Sequence, residues 1–365
     1  MNQVFYYKLI SGQNKSYTAV LINMLLAVAA KGYLLVIKLR NFLYDKTFFK
    51  THHCDPAVIS VGNITLGGTG KTPLVIWLCK LLQQQNVPCA ILTRGYKTTQ
   101  NPKSGTQNFS DEPAILAESC PQAKVIVNPD RVAGASEAIR NFDASVLIMD
   151  DGFQHRHLSR DLDIVTIDAI RPFGYEKIFP AGLLREPISS LKRAQAVVIT
   201  RCDQTSEPEL ERIEHRLKTF NPDLILARSI HSAVYARTYD NKNIDIEYFR
   251  GKKIFAFCGI GNPNAFFNTL RALGAELTGS KIFDDHFSFT EGCLDDIYKH
   301  AQRTEADMIL TTQKDWTKIG HLTLNTQDVP LAYLVVDIKF LSGEDKLRSL
   351  INQTLKDKIS KKNKD

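Results

Sequence analysis

The sequence predicts an α/β protein built on a mostly parallel sheet, followed by a second, smaller α/β domain. Three observations carry that reading. A short β-branched run, Val58–Val61, enters a glycine-rich loop that ends in Gly70-Lys71-Thr72, where a helical pattern begins. Short apolar runs then alternate with helical spacings, the pattern of parallel strands joined by crossover helices. After an extended stretch near residues 220–250, the same alternation resumes from Lys252. Crossovers of this kind are right-handed and leave the ligand at the carboxyl ends of the strands.

The first 53 residues are basic and apolar. They carry Lys8, Lys15, Lys31, Lys38, Arg40, Lys46 and Lys50 against Asp45 alone. Lys31 divides their apolar residues into two runs, each shorter than the roughly 18–20 residues a spanning helix needs. Apolar runs with interspersed lysines and aromatics suit a helix lying in a membrane interface. The tail from Lys356 adds five lysines against two aspartates, so the two ends carry more than the whole net +7 and the rest of the chain is slightly acidic. A uniformly basic nucleic-acid binder has a different distribution, and no nucleic-acid partner is expected. Seven scattered cysteines without a CxxC pair read as reduced thiols in a cytosolic compartment.

The loop Gly67-Gly68-Thr69-Gly70-Lys71-Thr72 has the chemistry of a nucleotide phosphate cradle. Glycines let backbone N–H groups close on phosphate oxygens, the following helix adds its positive dipole end, and Lys71 reaches the terminal phosphates. Thr72 places a hydroxyl on Mg²⁺. The strict spacing asks for glycine at position 65, where this chain has Thr65. Beyond the helix from Leu74 and a strand over 88–93, residues 97–110 form a polar loop. Asp111-Glu112-Pro113 then reads as a helix start with acidic first-turn residues. Asp111 is also a candidate to accept a hydroxyl proton in phosphoryl transfer.

A strand at 124–127 and a helix from about 130 to 141 follow. The buried run Ser145–Met149 ends on Asp150-Asp151-Gly152-Phe153-Gln154-His155, where a metal-site carboxylate belongs in such an enzyme. Strands at 162–167 and 196–200 complete this half. Arg94, Arg185 and Glu186 lie in segments with the polar-in-apolar character of a substrate rim. In the second half, strands near 254–258, 275–283, 308–311 and 331–336 alternate with helices near 263–273 and 291–303. His286 follows acidic residues at a strand end and could serve Asp111 if the domains close. Thr200-Arg201-Cys202-Asp203 and Thr312-Gln313-Lys314-Asp315 echo the box that reads guanine in GTPases, so a P-loop GTPase switch or metallochaperone is the alternative function. An ATP-dependent ligase is a third reading.

In order along the chain, Val58–Pro73, Arg94-Gly95-Tyr96, Asp111-Glu112-Pro113, Asp150–His155, Pro180–Pro187 and Asp285-His286 resemble the tetraacyldisaccharide 4'-kinase family. The resemblance implies a P-loop NTPase-like domain and a smaller α/β domain joined by a β-hairpin linker, over 55–222, 251–345 and 223–250. A membrane-associating helix (1–54) and a lysine-rich tail (346–365) flank them. It further implies ATP and Mg²⁺ as cofactors, and phosphorylation of the 4'-hydroxyl of a membrane-embedded acylated disaccharide 1-phosphate. Location on the cytoplasmic face of the inner membrane follows, with an anionic membrane surface as partner and no obligate protein partner. The expected roles are Lys71, Asp111 and His286 in catalysis, Gly67–Thr72 on the nucleotide, and Thr72, Asp150 and Asp151 on the metal. Arg94, Gln154, His155, Arg185 and Glu186 are expected on the substrate. Many members carry a second histidine where this chain has Phe287.

Overall fold

The computed structural model describes residues 3–95, 111–285, 287–320, 322 and 329–362. Tyr96, the polar stretch 97–110 and His286 lie outside the described residues, as does the side chain of Asp111. Two compact units emerge. One is drawn from Met1–Gly95, Cys120–Ile230 and Lys339–Asp365, the other from Tyr96–Ser119 and His231–Ile338.

In the first unit the chain opens with helices α1 (Gln3–Ile10) and α2 (Tyr17–Asp45). Ser16 caps α2, its hydroxyl accepting from the Ala19 amide. The two apolar runs of the N-terminus are therefore one helix of 29 residues, and its most apolar 18-residue window has a mean hydropathy of 2.2. Lys31 does not interrupt it, because a long lysine stem lies along a helix surface while its ammonium stays in water. By length and composition α2 could cross a membrane, which corrects the expectation drawn from the separate runs.

The sheet of this unit is built from β1 (Ala57–Asn63), β2 (Cys89–Thr93), β3 (Lys124–Val127), β4 (Val146–Asp150), β5 (Leu162–Asp168), β6 (Ala196–Thr200) and the first part of β7 (Ile225–Thr238). Their order is β7-β6-β5-β1-β4-β2-β3, and each strand runs parallel to its neighbours in that order. Strands β1, β4, β5 and β6 are buried along their whole lengths, as parallel strands covered on both faces must be. Helices α3 (Lys71–Gln84), α5 (Arg131–Phe142), α6 (Glu207–Phe220) and α10 (Glu344–Lys362) complete the unit. Sequence reading missed α6, whose amphipathic run starts at Ser206-Glu207-Pro208.

The second unit holds α4 (Asp111–Ser119), β8 (Asn243–Asp245), β9 (Lys253–Cys258), α7 (Pro263–Ala272), β10 (Glu276–Ile282), α8 (Glu291–Arg303), β11 (Met308–Thr312), α9 (Gln313–Ile319) and most of β12 (Leu331–Ser342). Here β10, β9, β11 and β12 lie parallel in that order, and β8 pairs antiparallel with β7. The runs 224–228 and 232–237, separate in the sequence reading, are one strand. Helix α4 connects two strands of the first unit yet belongs to the second.

Candidate active site

The glycine loop is held by the ends of three neighbouring strands. Asn63, the last residue of β1, donates through Nδ2 to Thr69 Oγ1 at 3.0 Å. That hydroxyl lies 2.7 Å from Thr166 Oγ1 on β5, and Thr200 Oγ1 on β6 donates to the Thr69 carbonyl at 3.0 Å. Arg201 donates to the Gly68 carbonyl at 2.9 Å and to Asp168 at 2.6 Å. On the other flank, the Leu66 amide donates to the Leu183 carbonyl and the Arg185 amide to that of Ile64, both at 2.7 Å. Gly70 then adopts φ +84° directly before α3, a conformation that disfavours other residues. Thr200 and Arg201 therefore brace the loop backbone, in place of the base-reading role their sequence suggested. Sequence reasoning did not single out Asn63 or Thr166, which bear no motif and act only through strand register.

Strands β1 and β4 run side by side with Val61 opposite Asp150, which brings the acidic turn beside the loop. Gly62 permits this, since a Cβ there would stand 2.5 Å from the Cβ of Phe153. Asp150 is buried and accepts from Thr93 Oγ1 at 3.3 Å, while Arg131 donates to its carbonyl at 3.3 Å. Asp151 turns back with φ +53°. Its carboxylate lies 3.4 Å from Lys71 Nζ and takes Arg185 Nη1 at 2.9 and 2.8 Å. Burial raises its pKa, but Lys71 and Arg185 outweigh burial and hold it at about 2. Gln154 donates to the Asn63 carbonyl at 2.8 Å. Burial, with Arg131 and His157 nearby, pushes His155 down to about 4, so it is neutral near pH 7.

This geometry gathers two cations, a glycine loop and a helix N-terminus at the carboxyl ends of parallel strands, which is an anion site suited to a polyphosphate. Thr72 and the carboxylates of Asp150 and Asp151 supply the hard oxygen donors Mg²⁺ prefers. No group of three or more His, Cys, Asp or Glu that could hold a metal forms among the described residues. An ion here would complete its shell with phosphate and water oxygens, as Mg²⁺ ordinarily does.

Other expected rim residues separate. Arg94 lies exposed after β2. Glu186 is turned inward, fully buried, and accepts from Arg40 at 3.1 Å, Asn41 at 3.3 Å and Arg193 at 2.8 Å. It ties α2 to the segment beside the loop, which corrects its placement on a substrate rim: a carboxylate shared by two guanidinium groups is already satisfied.

In the second unit, Asp111 is the first residue of α4, and Glu118 stands two turns later. Glu118 accepts from Arg237 at 2.9 Å, Tyr333 OH at 2.7 Å and Gln313 at 3.3 Å, fixing α4 to its own unit. No motif flags Glu118; its partners come from three distant segments. Asp285 pairs with Lys314 at 2.9 Å, and Phe287 packs on Phe283 and Phe289 with ring centroids 4.7 and 5.2 Å away. Thr312 caps α9, and fully buried Asp315 accepts from the Gly259 amide at 3.0 Å. The 312–315 stretch is thus a helix cap rather than a guanine reader.

Comparison with known proteins identifies the family. The family model described as Tetraacyldisaccharide-1-P 4'-kinase matches residues 22–356. A tetraacyldisaccharide 4'-kinase of Halothermothrix orenii is 33% identical over 94% of this chain and 96% of its own length. That of Desulfotalea psychrophila is 38% identical over 78% of this chain and 84% of its own. A crystal structure of LpxK from Aquifex aeolicus in complex with ATP aligns with TM-score 0.71 and 29% identity, covering 92% of this chain and 99% of the other. With the family model matched over residues 22–356 and relatives matched over nearly the whole length, the chain belongs to the tetraacyldisaccharide-1-P 4'-kinase family.

Proposed function

We propose that this protein transfers the γ-phosphate of ATP to the 4'-hydroxyl of a tetraacyl glucosamine disaccharide 1-phosphate, a step of lipid A biosynthesis. The observation that carries this reading is the Lys71–Asp151–Arg185 constellation beside the glycine loop. Lys71, Arg185 and the loop amides hold the phosphates and take up charge that builds on them during transfer. Thr72, Asp150 and Asp151 would hold Mg²⁺, which would supply positive charge to offset that of the phosphates. Asp151 also keeps Lys71 and Arg185 aligned. Asp111 accepts the proton of the sugar hydroxyl, with His286 tuning or orienting it. Gln154 and His155 border the loop and contribute to substrate placement.

We further propose that α2 lies on the cytoplasmic face of the inner membrane. Its outward row includes Leu21, Leu25, Val28, Leu35 and Val36, each more than 60% exposed. Its second half is tied to the protein body by Arg40 and Asn41 on Glu186 and by Asp45 on Arg156. That anchorage favours an interfacial helix over one that departs into the bilayer. Changing Leu21, Leu25 and Val28 to serine is expected to weaken binding to anionic vesicles and leave ATP binding intact. Unchanged vesicle binding would remove the interfacial assignment.

The decisive assay is transfer of labelled γ-phosphate from ATP to the acylated disaccharide 1-phosphate in detergent micelles. Transfer that Lys71→Ala removes, with the fold retained by circular dichroism, supports the kinase. GTP hydrolysis with no labelled lipid would turn the assignment to a nucleotide switch.

A further inference from the structure

Three of the seven cysteines converge. Cys79 lies midway along α3, Cys89 opens β2, and Cys120 follows α4. Cys79 Sγ and Cys89 Sγ are 3.7 Å apart, and the Cys120 thiol also hydrogen-bonds to Cys79. Cys79 and Cys120 are buried, whereas Cys89 is partly open to solvent. From this geometry we infer that Cys79 and Cys89 form a redox site, a thiol pair that closes to a disulfide under peroxide.

The rest of the chain supplies a contrast. Burial pushes Cys54 and Cys202 up to about 11 and Cys258 up to about 12, the behaviour of inert structural thiols. Cys79 departs from them as the acceptor of its cluster: hydrogen bonds from Cys120 and Cys89 pull its pKa down against burial, and the same bonds push Cys89 and Cys120 up. The thiolate is the reactive form. Closing the pair brings two sulfurs already in contact to a bond length of about 2.05 Å. The ring it closes is short, because only the end of α3 and one turn separate the two residues.

The chemistry balances with hydrogen peroxide as oxidant. The Cys79 thiolate attacks one peroxide oxygen, an S–O bond forms, the O–O bond breaks, and hydroxide leaves with a proton as water. Cys89 sulfur then attacks the Cys79 sulfenic sulfur. The S–S bond forms as the S–O bond breaks, and the second oxygen leaves as water with the remaining thiol proton. Two thiols are oxidised and one peroxide is reduced to two waters. The crosslink joins the helix that starts at Lys71 to the strand that ends at Thr93, the donor to Asp150.

The test is graded peroxide treatment of the full-length protein, alkylation of the remaining thiols under denaturing conditions, and peptide mapping by mass spectrometry. The expected result is loss of two alkylatable thiols within one molecule, a Cys79–Cys89 linked peptide, and full reversal by dithiothreitol. Cys79→Ala and Cys89→Ser should each abolish the linkage, while Cys120→Ser should retain it. Thermal unfolding of each variant establishes that it is folded. Both thiols still alkylated at peroxide levels that oxidise a free thiol control, sulfinic acid on Cys89 alone, or only intermolecular crosslinks would overturn the inference.

Discussion

The unit that carries the glycine loop and the unit that carries Asp111 are built in different ways. In the first unit, the loop 67–72 and the turn 150–155 are contiguous motifs, and parallel pairing of β1 with β4 sets them side by side. Their charges close among themselves, Asp151 serving both Lys71 and Arg185. In the second unit, α4 opens on the short segment Asp111-Glu112-Pro113, which does not fix where the helix packs. Its position depends on Glu118 and partners from three remote segments. A polyphosphate can be held by backbone amides in a loop, whereas a general base must be carried to its proton by tertiary structure.

Substitutions can break this contrast, beginning with the largest effect. Asp111→Asn should lower kcat roughly 10²–10⁴-fold with little change in ATP affinity if Asp111 is a general base. Steady-state kinetics beside ATP titration would show it, and a loss confined to ATP binding would make Asp111 a nucleotide ligand. Removing the guanidinium by Arg185→Met should cost roughly 10²–10³-fold in kcat/KM, the range for one donor aimed at developing charge. Asp151 would then retain only Lys71. Glu118→Ala should reduce kcat about tenfold through misplacement of α4, leave the Kd for ATP unchanged, and be largely rescued by Glu118→Gln. Equal loss of ATP binding in that variant would erase the distinction between the two units.

The smallest expected effect is a pH slope. His155 has a folded pKa of about 4 against an ordinary 6.5, so between these values the unfolded chain binds more protons. Stability therefore rises with pH across this window and falls as pH drops through it. Asp151 acts with the same sign in a lower window. Its pKa is depressed from 3.8 to about 2, so its contribution is present above the ordinary value and is lost only as pH falls toward 2. Denaturant midpoints of the parent and His155→Asn, compared from pH 4 to pH 7, should differ in slope over the His155 window alone.

Much of the nucleotide site was legible because its groups are local. Strand, loop and Gly70-Lys71-Thr72 follow one another in the chain, and Asp150-Asp151-Gly152 ends a buried apolar run. Glu186 was misplaced on the rim because its sequence neighbours are polar. Only the fold brings Arg40 and Arg193 around it and buries it completely. The guanine-box echoes failed for a similar reason: short polar strings also make caps and braces, and burial decides which. The N-terminal runs were divided at Lys31, although one charged residue on an exposed helix face carries little helical penalty.

By itself the sequence determined the α/β alternation, the phosphate loop, the acidic strand end and the family, since each is written in residues adjacent along the chain. Tertiary structure alone decided that Thr166, Thr200 and Arg201 brace the loop, that Glu186 anchors α2, and that α4 belongs to the second unit. Those assignments depend on register and burial between segments far apart in the chain. Hydrogen-bond satisfaction of buried polar groups is a property of the packed molecule, and no local pattern encodes it.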